Sequence, residues 1–217
     1  MIINRVRHTD PDINVNRIDS PIVRRALEDY TAYENDDEIC FVDIQNRYFF
    51  TMMQRKVQYS RLSSLDIDNW DPLSPLFYDV PILRAVYTVK HHRGKGLQAR
   101  LLDTLVGWCE EYAEPLAVYT DPYQLKRNGM PERNATEALL KFQHGYEPTD
   151  RYLKDMVKQR QRFIDAGFRN IRFEDARYTK PFQQFAYVPS TLDEQYQQLF
   201  DDLELFYVID YEKLEKM

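Results

Sequence analysis

The chain has 217 residues, 43% of them apolar and 29% charged, which suits one globular domain. Aromatic residues make up 14%, too many for a disordered chain. A formal charge of −6 argues against a surface built to grip nucleic acid or an anionic membrane.

The opening, MIINRVRHTD, lacks the apolar stretch of a signal peptide, and no run of about 18 apolar residues follows, so a cytoplasmic protein without a membrane span is expected. Ser20-Pro21 starts the first helix, because serine caps a helix well and proline suits its first position. Ile22, Ala26 and Tyr30 give it an apolar stripe, and it is expected to run to Tyr33. The acidic run 34–38 reads as a solvated turn. Strands are expected over 39–44 and 47–59, joined as a hairpin at Gln45-Asn46, with Asn46 the better turn former. Residues 63–75, rich in Asp, Ser and Pro, read as loop. A strand over 77–90 precedes a helix over 97–112, whose Leu97, Leu101, Leu102, Leu105, Cys109 and Tyr112 recur at helical spacing. A short buried strand over 116–119 follows Pro115. Strand, glycine turn, helix and strand in this order predict a parallel crossover. Residues 121–150 are irregular apart from a short helix over 135–142. A helix over 151–166 is expected to end on Gly167 in the left-handed conformation. Strands over 171–173 and 185–188, a helix over 192–203 and a strand over 205–209 complete the chain. The fold class is α/β with a mixed sheet in one domain, 1–217, with a core over about 20–190 and an extension over 191–217. Cys40 and Cys109 lie in apolar patterns with no Cys-x-x-Cys or Cys/His cluster, so buried thiols are expected rather than a disulfide scaffold or a metal site.

The chemistry concentrates in Val86-Tyr87-Thr88-Val89-Lys90-His91-His92-Arg93-Gly94-Lys95-Gly96-Leu97-Gln98. The first N–H groups of a helix have no intrahelical partner and, with the helix dipole, suit a phosphate. Glycine lets the backbone approach the anion, and Arg93 and Lys95 add positive charge. Of only 6 glycines in the chain, Gly94 and Gly96 fall here. Neither a Walker-type Gly-x-x-x-x-Gly-Lys-Ser/Thr loop nor a Rossmann fingerprint fits. His91 and His92, as neighbours on an extended chain, point to opposite faces and read as electrostatic rather than as a catalytic pair. The basic tract Lys154, Lys158, Arg160, Arg162, Arg169, Arg172 and Arg177 reads as solvated surface before it reads as a contact for RNA or an acidic partner. Asp201, Asp202 and Glu204 read as a solvated helix end.

The Arg93-Gly94-Lys95-Gly96-Leu97 segment resembles the acetyl-CoA motif of the GCN5-related N-acetyltransferases, Gln/Arg-x-x-Gly-x-Gly/Ala, at the join of the family's fourth strand and third helix. His91 stands at the first motif position. Phe163 to Phe168 resembles the family's Tyr-x-x-x-Gly-Phe segment, with Phe163 in place of the tyrosine. The resemblance implies a central twisted mixed sheet flanked by helices, with an insertion over 121–150 after the family's fifth strand. It implies acetyl-CoA as co-substrate, with Val86, Tyr87 and Thr88 on the pantetheine and Arg93, Gly94, Lys95, Gly96, Leu97 and Gln98 at the pyrophosphate. The activity implied is N-acetyl transfer to an amine of a small molecule or protein by direct attack; a catalytically silent acyl-CoA-binding domain acting through partners is the alternative. A homodimer stays open. With phenylalanine at 163, Tyr123 and Tyr119 are the remaining candidates to protonate the leaving thiolate, and Asp79 and Asp121 are candidate bases. The insertion is expected to form a lid or wall of the acceptor site, so that its removal would leave acetyl-CoA affinity nearly unchanged.

Overall fold

Ser20 caps the first helix, as the sequence predicts: its Oγ accepts from Val23 N–H at 3.2 Å, with Pro21 in the first helical position. The computed structural model describes residues 4–6, 20–34, 38–53, 81–119, 122–126, 132–143, 145–170, 184–194, 197–198 and 201. Their elements are β1 (Asn4–Val6), α1 (Pro21–Asp29), β2 (Thr31–Glu34), β3 (Glu38–Val42), β4 (Tyr48–Met53), β5 (Ile82–Thr88), α2 (Leu97–Tyr112), β6 (Leu116–Tyr119), β7 (Tyr123–Leu125), α3 (Ala135–Gln143), β8 (Tyr146–Pro148), α4 (Tyr152–Asp165), β9 (Arg169–Asn170) and β10 (Gln184–Tyr187). The expected strands over 171–173 and 205–209 and half of the expected helix over 192–203 lie outside the described residues, as do Asp79, Asp121, Asp202 and Glu204. No helix among the described residues is long and apolar enough to cross a membrane.

Eight strands form one mixed sheet in the order β1-β2-β3-β4-β5-β6-β10-β9. Neighbours are antiparallel except β5 and β6, which are parallel. The α2 crossover between them is the one the sequence predicts. The hairpin of β3 and β4 turns at Asn46, whose left-handed φ of 59° suits asparagine.

Two expectations fail. The first helix stops at Asp29 instead of Tyr33: Tyr30 is extended, and Thr31–Glu34 pairs with β3 residue for residue. Pairing across the chain overrides the helical stripe, and Thr31 and Tyr33 suit a strand. The insertion is not irregular either. β7 and β8 pair as a separate two-stranded sheet, with α3 between them in sequence.

The sheet has an apolar layer on each face. On one, Ile22, Ala26 and Leu27 of α1 and Leu101, Leu105 and Trp108 of α2 cluster with Phe41, Phe50, Leu83 and Phe185. On the other, Ala135, Ala138 and Leu139 of α3 cluster with Cys40, Val42, Phe49 and Val89. Cys40 and Cys109 are both free and buried, and burial pushes both thiols far above their ordinary range, which makes them packing groups rather than nucleophiles.

Candidate functional site

The parallel pair that frames the site is short. β5 and β6 are paired only at Ile82↔Ala117 and Leu83↔Val118. At the same level β4 pairs Thr51 with Ala85 and then Met52 with Leu83, so Arg84 has no opposite number. An extra residue of this kind bends its strand and sharpens its twist. Beyond Leu83, no strand among the described residues pairs with the β6-facing edge of β5. Val89 N–H bonds Arg47 O on the β4 side at 3.0 Å. By alternation along the strand, the polar main-chain groups of Val86 and Thr88 face the opening toward β6.

Past β5 the chain makes a 3₁₀ turn over Lys90–His92 and enters the glycine turn. Gly94 and Gly96 are both left-handed, with φ of 76° and 69°. A Cβ at either would meet nothing within 4 Å, so it is the backbone conformation that calls for glycine. Gly96 is the N-cap of α2, with no side chain capping the end and no acidic residue in the first turn. Leu97 is buried and pins the helix start to the core. The N–H groups of Leu97, Gln98 and Ala99 have no intrahelical acceptor and leave a partial positive charge at this end.

The side chains divide differently from the sequence expectation. Lys95 is exposed in the turn. Arg93 is folded back: its Nε donates to Thr88 O at 3.0 Å and its guanidinium lies 5.2 Å from the centre of the Tyr87 ring. The Tyr87 hydroxyl donates to Glu132 Oε1 at 2.6 Å, and burial, reinforced by that bond, pushes the phenol far above its ordinary range. Gln98 accepts from Arg162 Nη1 at 2.7 Å, which brings a guanidinium of α4 to the first turn of α2. The sequence offers no sign of this contact, since the two residues are 64 apart.

The histidine rings depart from expectation. His91 and His92 lie 4.2 Å apart with planes tilted by 47°, because a 3₁₀ turn does not send neighbours to opposite sides as a strand does. Partial desolvation, then the positive neighbours His91 and Lys95, lower the His92 imidazole from its ordinary range.

Tyr119 closes β6 opposite Gln184, one residue past the last β5 pairing. Tyr123 lies on β7 with its ring 4.5 Å from that of Tyr146, in the separate small sheet. Phe163 is 3% exposed, with its ring 5.3 Å from Phe168 and 5.9 Å from Phe185. Phe168 N–H bonds Phe163 O, and Gly167 N–H bonds Ile164 O, both at 2.9 Å, with Gly167 left-handed at φ 87°. This is the Schellman ending, with the hydrophobic contact between its first and last residues that such endings often carry. The Phe163-x-x-x-Gly167-Phe168 spacing therefore follows from how this helix ends, whatever the fold does.

Comparison with family models, with curated proteins and with solved structures returns no match.

Proposed function

We propose that the chain is an acetyl-CoA-dependent N-acetyltransferase of the GCN5-related kind, acting on an amine of a small molecule or protein. The observation that carries this reading is the junction of the β5–β6 opening with the glycine turn. Main-chain groups of Val86 and the Thr88 N–H, which face the opening while the Thr88 carbonyl accepts from Arg93, are followed in sequence along one edge by two left-handed glycines and an uncapped helix end. An extended amide-bearing arm ending in a pyrophosphate matches that series. The pantetheine amides pair with the strand edge, and the phosphates take the N–H groups of Gly96, Leu97 and Gln98 with Lys95 and Arg162 nearby. The mixed sheet, parallel only at β5–β6, supports the same reading.

In the reaction the neutral amine attacks the thioester carbonyl. A C–N bond forms, the C–S bond breaks, the nitrogen loses a proton and the thiolate takes one. A main-chain N–H of β5 facing the opening is suited to the oxyanion. Tyr119 ends its strand where the pairing with β5 stops, while Tyr123 belongs to the small sheet. The second reading, an acyl-CoA-binding domain without turnover, is favoured by one observation: Phe163 is spent in the core and α4 supplies no phenol there.

Calorimetric titration with coenzyme A tests the site. Wild type binds, while Gly96→Asp places a carboxylate at the helix end and abolishes binding; because the left-handed φ of 69° costs a non-glycine residue about 1–2 kcal/mol, the titration is run well below the variant's melting temperature. Equal affinity in the variant removes the site. Thiol release from acetyl-CoA with a panel of amines then separates the enzyme from the silent domain.

A further inference from the structure

Glu132 lies just ahead of α3, in the insertion, yet it reaches the strand that enters the glycine turn. Its Oε1 accepts from Tyr87 Oη at 2.6 Å and, more loosely, from Lys90 N–H at 3.4 Å. One carboxylate oxygen therefore holds a side chain of β5 and the first residue of the 3₁₀ turn. The Tyr87 ring is stacked on Phe49 at 5.5 Å, and its other neighbour is the Arg93 guanidinium. Arg93 in turn bonds the carbonyl of Thr88. The series Glu132, Tyr87, Arg93, Thr88 closes around the entry to Gly94.

The carboxylate itself is fixed by the start of α3. Asn134 caps that helix through Oδ1 on Glu137 N–H at 2.9 Å, and Glu137 returns a bond to Arg133 N–H at 2.9 Å. Asn46, in the β3–β4 turn, accepts from Thr136 N–H at 2.8 Å and, through its carbonyl, from Ala135 N–H at 2.9 Å. Two elements thus fix the segment that carries Glu132. Burial works to raise the Glu132 carboxyl, but the bonds from Tyr87, from its own backbone N–H and from Lys90, with the charge of Arg93, together lower it.

We infer that Glu132 is a positioning residue for coenzyme binding, bracing Tyr87 and Arg93 so that the glycine turn is held open at the helix end; this rests on the reading of that turn as the coenzyme site. A carboxylate near a phosphate site would itself oppose binding, so its presence is explained by what it holds rather than by what it attracts. The insertion then serves the coenzyme side of the reaction instead of forming only a wall for the acceptor.

The experiment compares wild type, Glu132→Gln, Glu132→Ala, Tyr87→Phe and the Glu132→Ala/Tyr87→Phe double variant by calorimetry with coenzyme A, alongside thermal melting. Glutamine removes the charge and keeps an oxygen acceptor for Tyr87, so Glu132→Gln binds at least as tightly as wild type. Glu132→Ala removes both and binds about tenfold more weakly than Glu132→Gln. Tyr87→Phe weakens binding to a similar degree, and the double variant is no worse than the weaker single one, because both break the same link. Equal affinity of Glu132→Ala and Glu132→Gln overturns the brace while leaving the site. Wild type that takes up no coenzyme A overturns the site and the brace together.

Discussion

Phe163 shows how one residue can satisfy a motif for a reason unrelated to chemistry. Its position four residues before a glycine is what the left-handed ending of α4 demands, and its contact with Phe168 completes that ending. From sequence alone the same spacing invites a functional reading, because a helix cap and a catalytic segment share the letters. Ring packing separates them. Placing a phenol at 163 buries a hydroxyl between Phe168 and Phe185. Phe163→Tyr is therefore expected to lose about 1–3 kcal/mol in urea unfolding, with no gain in thiol release. Undiminished stability with faster turnover would mean that this end of α4 opens onto the reacting sulfur. Gly94 and Gly96 are the opposite case. They were legible because glycine is scarce here and because a strand precedes and a helix follows them. Glu132 was not legible: nothing near it in sequence points to Tyr87, 45 residues away.

At the scale of elements, local signals worked where a single segment decides its own structure. α2 spans Leu97–Tyr112, the residues its periodicity predicts, and β6 spans Leu116–Tyr119. They failed where the decision is made across the chain. Nothing in Thr31–Glu34 alone stops the preceding helix; the pairing with β3 does. The 3-residue strands of the small sheet, 20 residues apart, carry too little pattern to be seen. The start of α1 depends on a distant residue as well. Ala113 ends α2 in the left-handed conformation, and the next residue, Glu114, is buried under the first turn of α1. Its Oε2 accepts from Ser20 Oγ at 2.8 Å and Ile22 N–H at 3.0 Å. A carboxylate on free helix N–H groups is favourable in both charge and bonding. Glu114→Ala leaves those donors buried without an acceptor and is expected to cost about 1–3 kcal/mol. Ser20→Ala is expected to cost about 1 kcal/mol. The double variant should lose less than the sum, since the two side chains bond each other. Urea midpoints with unchanged slopes measure all three, and strict additivity would show that the two act separately.

For the whole molecule, the second face of the sheet decides what the insertion is for. Read from sequence, residues 121–150 are an insertion that can be shortened without harm to the coenzyme site. In the structure α3 supplies Ala135, Ala138 and Leu139 to a cluster whose other half is Cys40, Val42, Phe49 and Val89. Without α3, Val42 and Phe49, now 2% and 0% exposed, would face water. Exposing two such side chains costs about 3–6 kcal/mol, against a typical total stability of about 5–15 kcal/mol. Replacing residues 126–137 by a short Gly/Ser linker removes Glu132, the Asn134 cap, Ala135 and the Thr136 amide that bonds Asn46. The first turn of α3 then has neither cap nor anchor, and the rest of the helix cannot hold its place on the sheet. Loss of the Tyr87 brace reaches the glycine turn by a second route, because Val89 belongs to the same cluster and opens the 3₁₀ turn. The expected result is a melting temperature lowered by many degrees and a coenzyme A affinity reduced at least as far as in Glu132→Ala. The two effects are separable by titrating at a temperature well below the variant's own melting point. A shortened protein that melts like wild type and binds coenzyme A as tightly would place α3 outside the cooperative fold and return the insertion to a role on the acceptor side alone.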